Sequence, residues 1–153
     1  MVASSINRVA DQTDPAINDR IDKQTGASVG YFASHRDEID DRLRQLDEEW
    51  DIERMLETGS SSLSLAGLIL SVLRGRKWLL LTLTVQGFFL QHAVQGWCPP
   101  LAMLRRWGFR TQSEIEQERY ALKLLRGDFK DLAAGDDAKK AGADDRLLKA
   151  VRK

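Results

Sequence analysis

Apolar positions in this chain follow more than one rhythm, and each rhythm predicts a different kind of helix. Over residues 16–35, Ile17, Ile21, Val29 and Phe32 fall near helical spacing, with Gly26 and Gly30 weakening the segment. Over residues 36–57, Ile39, Leu43, Leu46 and Trp50 step by 4, 3 and 4, the seam of an amphipathic helix that packs on its own chain or on a partner. After residue 57 the polar face disappears. Residues 58–73 read TGSSSLSLAGLILSVL, in which the small residues Ser60, Ser64, Gly67 and Ser71 form one stripe and leucines fill the other faces. A small-residue stripe lets another helix backbone come close. After the turn at residues 74–77, residues 78–96 read WLLLTLTVQGFFLQHAVQG, where Thr84, Gly87 and Gln91 offer a matching small and polar line.

These two runs predict an all-α fold built on a short two-helix transmembrane hairpin flanked by amphipathic helices. Trp78 and Trp97 stand 19 positions apart, about 28 Å of helix, close to the roughly 30 Å hydrocarbon core. Tryptophan favours both edges of that core. The first apolar run, residues 63–73, is only 11 residues long, so a re-entrant first helix or a soluble buried hairpin is also open. Beyond Trp97, Pro99 and Pro100 end the span, and Leu101, Met103, Leu104 and Trp107 mixed with Arg105 and Arg106 predict a short interfacial helix. Thr111 followed by Glu114 is a capping box opening a further helix that Gly127 closes. The expected organisation is an acidic amphipathic region at 1–57, opening with a polar leader, a membrane-embedded region at 58–110, an amphipathic helix at 111–130 and a mobile charged tail at 131–153.

Charge sharpens this picture. Residues 1–57 carry 7 Lys/Arg and 14 Asp/Glu, whereas residues 58–110 carry 6 Lys/Arg and no acid at all. A carboxylate at the bilayer centre costs about 3 kcal/mol or more, so a membrane segment excludes it. The chain as a whole is neutral, which gives no basis for nucleic-acid binding. No basic, apolar leader opens the sequence, so the acidic region is expected in the cytoplasm. Residues 36–57 are then free to meet a cytoplasmic protein partner, and the small-residue stripe to support a homo-oligomer, with a dimer favoured.

Candidate chemistry is sparse. Cys98 is the only cysteine, which rules out an internal disulfide or a cysteine-rich metal cluster. A structural thiol packed under the Pro-Pro turn, a sulfur or redox role, and lipidation or metal binding are the readings open to it. Reactivity would require a lowered pKa, for which Arg105 and Arg106 are the nearby cations. Gln86, Gln91 and His92 are the polar residues inside the hairpin. Gln86 is expected to bond across the hairpin or between protomers, and His92 to be a hydrogen-bonded interfacial residue. No cofactor and no metal is expected, since no phosphate-binding glycine loop, His-Glu metal motif or nucleophile–base–acid set occurs.

The run Gln86-Gly87-Phe88-Phe89-Leu90-Gln91-His92-Ala93, then Gly96-Trp97-Cys98-Pro99-Pro100-Leu101, then Arg110-Thr111 and Glu118-Arg119-Tyr120-Ala121-Leu122, resembles the YgaP-type inner-membrane domain of bacteria over residues 57–128. Its most specific element is Gly96-Trp97-Cys98-Pro99. The resemblance implies a small two-helix unit of the bacterial inner membrane. Some members of that family attach it to a rhodanese sulfurtransferase that works through a persulfide cysteine. Here there is no second cysteine, and an acidic helical region occupies the N-terminal place, so the sulfur activity does not carry over. Three function classes follow: a non-enzymatic, self-associating membrane anchor or interaction module; a sulfur or redox carrier using Cys98; and an oligomeric transporter or channel subunit in which Gln86, Gln91 and His92 line a polar path. The first is expected.

Overall fold

The computed structural model describes residues 6–129. Among them the chain is helical and contains no strand. Six α-helices follow one another: α1 (Pro15–Ser34), α2 (Ile39–Glu48), α3 (Ile52–Arg74), α4 (Leu79–Gln95), α5 (Pro99–Trp107) and α6 (Gln112–Arg126), with single 3-10 turns before α1, α2 and α4. Two compact units are formed. Among the described residues, one contains residues 6–24 together with 49–115, and the other contains residues 25–48 together with 116–129. The expected tail at 131–153 lies outside the described residues.

The acidic stretch is not one helix running to residue 57. The chain breaks at residues 49–51, where the Asp51 carboxylate caps α3 by accepting the backbone N–H of Arg54 at 2.6 Å, as aspartate at an N-cap does. Residues 52–57 are therefore the first turns of the hairpin helix, and the expected boundary at residue 57 lies inside α3. Trp50 sits in the break rather than on the seam. It is 40% exposed, with the Arg54 guanidinium 4.4 Å from its ring centroid, a cation–π contact. Among the described residues one helical run, Arg36–Arg74, is long and apolar enough to cross a membrane, and only 17% of its most apolar window is buried. The apolar part of that run is α3.

In the first unit α3 and α4 pack as a hairpin. Ser64 and Gly67 are buried, and Ser60 and Ser71 are half-buried, so the small-residue stripe faces the rest of the hairpin. A Cβ at Gly67 would stand 2.5 Å from Thr82 Oγ1 and 3.3 Å from the Trp78 carbonyl oxygen; only glycine permits this approach. Thr82 Oγ1 donates to the Ser64 carbonyl at 3.1 Å, and the Gln86 amide donates to Ser64 Oγ at 2.7 Å. Gln86 thus bonds across the hairpin. The α4 line that meets α3 is Trp78, Thr82 and Gln86, not the expected Thr84, Gly87 and Gln91. Gly87 has open space around it, because that line lies half a turn away on the helix.

The polar leader is also more than a leader. Val9 is buried with Ile52, Leu56, Cys98, Leu101 and Leu104 in one apolar cluster. Beside this cluster lies Arg105, which the sequence placed in the headgroup layer. It is 1% exposed. Its guanidinium makes a two-pronged pair with Glu114 at 2.7 and 2.8 Å and also donates to Asn18 Oδ1 at 2.7 Å, Thr13 Oγ1 at 3.2 Å and the Phe109 carbonyl at 3.2 Å. Such a fork binds a carboxylate bidentately. Helix α5 turns Leu101, Leu104 and Arg105 inward and leaves Met103, Arg106 and Trp107 exposed. The amphipathic pattern held, but its one inward arginine did not look different from its neighbour.

The second unit buries the seam. Ile39, Leu43 and Leu46 are buried, together with Leu122 of α6. Glu118, fully buried, receives Arg42 at 2.8 and 3.1 Å and the Ser28 hydroxyl at 2.5 Å. Three of the four seam residues are therefore turned inward, and the fourth, Trp50, stays exposed at the break before α3.

The Arg105–Glu114 pair yields a pH prediction. Burial alone would raise the Glu114 pKa, but the hydrogen bonds from Arg105 and from the Thr111 backbone outweigh it and hold the carboxyl below its ordinary 4.5. A carboxyl lowered in the folded state contributes stability above its unfolded pKa and loses it as pH falls through the folded value. Unfolding midpoints followed by circular dichroism are expected to fall below pH 4.5 in the natural protein. Glu114→Gln should lower the midpoint at neutral pH, by the about 3–5 kcal/mol of a broken buried pair, and flatten its acid dependence.

Candidate functional site

The Gly96-Trp97-Cys98-Pro99 element is the turn from α4 into α5, and each residue has a structural reason. Gly96 ends α4 in the left-handed region at φ 77°, and its N–H donates to the His92 carbonyl at 2.7 Å. A Cβ there would stand 2.4 Å from the Arg8 carbonyl oxygen, so the N-terminal segment seats its backbone directly on this glycine. Trp97 is partly exposed at the end of the hairpin. Cys98 is extended, φ −154° and ψ 159°, as a residue before proline prefers. Pro99 and Pro100 then occupy the first turn of α5, where no N–H is needed. The Cys98 carbonyl accepts the Leu101 N–H at 3.1 Å.

The Cys98 thiol is 2% exposed, within the apolar cluster. Burial pushes its pKa up, opposed in part by the Leu101 backbone N–H. Nucleophilic chemistry needs the thiolate, and Arg105, the expected source of positive potential, is committed to Glu114. Cys98 also lines an apolar groove of about 300 Å³ between α3, α4 and α5. Met55, Gly59 and Leu63 form one wall, Val85, Phe88 and Phe89 the other, and Pro100 and Leu104 its α5 side. Ser60 is the one hydroxyl in the lining, and it donates to the Glu57 carbonyl within its own helix.

No family model, curated protein or solved structure matches this chain.

The polar residues of the hairpin are separated by function. Gln86 serves the α3–α4 contact. Gln91 is half-buried on the opposite side of α4, and Gln95 is exposed. His92 is buried, and neither ring nitrogen has a hydrogen-bond partner; the expected hydrogen-bonded interfacial histidine is not what the fold makes. The charged group that acts on it is Arg8, which lies 4.0 Å from Glu53. Arg8, Glu53 and His92 thus form a partly satisfied polar patch where the N-terminal segment crosses α3 and α4. The sequence did not point to Arg8 or Glu53, since nothing local distinguishes them from the other charges of residues 1–57. Among the described residues no three His, Cys, Asp or Glu side chains come together to hold a metal ion.

A thiol in this setting is expected to react slowly. At pH 7 the native protein should be alkylated by N-ethylmaleimide more slowly than a free thiol, and at the free rate once unfolded. Cys98→Ser should cost roughly 1 kcal/mol of packing and change little else. Formation of a persulfide on the native protein by a sulfane-sulfur donor, absent in Cys98→Ser, would show the opposite.

Proposed function

We propose that this protein is a non-enzymatic integral membrane module, in which the α3–α4 hairpin lies in the bilayer and anchors the acidic helices outside it. One observation carries this reading: the outward surface of both hairpin helices is aliphatic and exposed. Leu65, Leu68, Ile69, Val72 and Leu73 of α3 and Leu80, Leu83 and Leu90 of α4 all face out, with Val72 at 85% and Leu73 at 73% exposure. A soluble monomer rarely leaves contiguous apolar patches beyond a few hundred Å². A buried core helix of similar composition would hide most of its apolar window, and α3 hides little of it. Helix α4 has 17 residues, about 25 Å of rise, and its flanking Trp78 and Trp97 extend it to both interfaces. The polar groups of Ser64, Thr82 and Gln86 satisfy one another between the helices, which suits a medium offering no other partners.

Kinship to the YgaP-type inner-membrane unit belongs to this reading and rests on the Gly96-Trp97-Cys98-Pro99 turn. A two-helix hairpin returns the chain to the side it left, and the highly charged flanks on both sides of it favour the cytoplasm. Self-association, as a dimer, uses the α4 line Thr84, Gly87 and Gln91, which faces away from α3. Sulfur carriage fits less well, because the thiol is buried. A polar path through an oligomer fits less well too, because Gln86 spends its amide on Ser64.

Fractionation tests the anchor. The full chain should sediment with membranes and resist carbonate and high-salt extraction; recovery in the aqueous fraction without detergent would refute it. Two glycine variants separate the hairpin from the dimer. Gly67→Leu should destabilise the fold by about 1–3 kcal/mol, the usual range for overpacking. Gly87→Leu should leave stability unchanged and reduce chemical cross-linking between copies in detergent.

A further inference from the structure

We propose that the groove between α3, α4 and α5 holds an acyl chain of a bilayer phospholipid. This inference rests on the membrane reading above and adds a specific lipid site to it. The lining is the first reason. Met55, Leu63, Val85, Phe89 and Leu104 present apolar side chains, and the Ser60 hydroxyl is turned back on its own helix. Nothing there rewards a polar ligand, whose buried groups would go unpaired.

The mouth is the second reason. Leu63 and Phe88 stand on its edges and are themselves 52% and 41% exposed, so the groove is continuous with the aliphatic surface that faces lipid. Its volume, about 300 Å³, is at the lower end of small-molecule sites. A second helix would pack across the mouth, its axis roughly 8–10 Å from those of α3 and α4, and would not fill the space between them. The chain itself has no suitable segment to fill it. Residues 130–153 carry 12 charged side chains in 24 positions, and residues 1–5 read MVASS. A flexible hydrocarbon chain is the occupant that matches the shape, the chemistry and the surrounding solvent.

The thiol of Cys98 gives the site an internal reporter. Cys98 lines the groove and is closed to the outside, so a reagent inside the bilayer reaches it through the groove. The full chain would be incorporated into phosphatidylcholine nanodiscs doped with phosphatidylcholines carrying a diazirine midway along, or close to the ester of, one acyl chain. After photolysis, labelled peptides are mapped by mass spectrometry. The expected result is label on Val85, Phe89 and Cys98, in excess of that on the outward Leu68, Leu80 and Leu83. Gly59→Leu supplies the occlusion control, because the space beside Gly59 is open and leucine is a better helix former; it should lose the groove label and keep the outward label. Label confined to the outward leucines in the natural protein would overturn the lipid site while leaving the anchor intact. Failure of the chain to enter nanodiscs at all, with recovery in the aqueous phase, would overturn both. Because the mapping on the natural protein decides the matter alone, a folding defect in Gly59→Leu does not remove the test.

Discussion

The contact between the Arg105 guanidinium and the Glu114 carboxylate organises the first unit. A buried charge is tolerated only when it is paired and its remaining donors are satisfied. Arg105 meets that requirement by drawing in four separate pieces of chain: Thr13 and Asn18 near the start, the Phe109 carbonyl after α5, and Glu114 at the start of α6. Glu114 in turn closes the capping box, accepting the Thr111 N–H at 2.8 Å while Thr111 Oγ1 accepts its own N–H at 3.3 Å. One carboxylate therefore starts a helix and neutralises a buried arginine. Arg110, next in line, pairs with Glu49 at 2.6 and 2.7 Å, and its carbonyl accepts the Ile52 N–H at 3.0 Å. The start of α3 is thus tied to the same junction.

A division of labour follows between two kinds of polar group. Those at the junction are charged and paired with one another. Those inside the hairpin are neutral hydroxyls and amides that bond only to each other. The hairpin spends its small and polar residues inward, on Ser64, Gly67, Thr82 and Gln86, and turns aliphatic side chains outward. That is the reverse of a soluble helix pair, and it is the economy expected when lipid is the solvent. Where the pattern is incomplete, at His92, the N-terminal segment brings in Arg8, which lies beside Glu53 of α3.

Local signals were legible and long-range ones were not. The start of α5 and both ends of α6 followed from Pro99 and Pro100, the Thr111–Glu114 pair and Gly127, because caps and breakers act within a turn. The small stripe on α3 was legible too, since a leucine-rich helix with one line of serines and glycine has one face for close packing. Its partner line on α4 was misread, because Thr84, Gly87 and Gln91 and Trp78, Thr82 and Gln86 are equally regular at helical spacing. Nothing in the chain around Arg105 separates it from Arg106; one position on a helix is 100° of rotation, and only the fold decides which of the two turns inward. The break at Asp51 was obscured by the continuous seam before it, although an aspartate with a free turn after it is the residue expected at an N-cap. The groove beneath α5 was invisible for a similar reason: its walls come from three helices, and a Pro-Pro element reads as a stop, not as the edge of a cavity.

The seat of Arg8 on Gly96 has a consequence for how the molecule is put together. The bonds that fasten α3 to α4 join residues 18 and 22 positions apart, whereas those that hold the chain's beginning to Arg105 span 87 and 92. Closing a short loop costs less entropy than closing a long one, so the helical pair assembles as a local event. The N-terminal segment is then among the last to find its place, because its seat does not exist until the end of α4, the following turn and the capping box have formed. The N-terminal segment lies as a latch over that pair, with Val9 in the apolar cluster and Thr13 on Arg105.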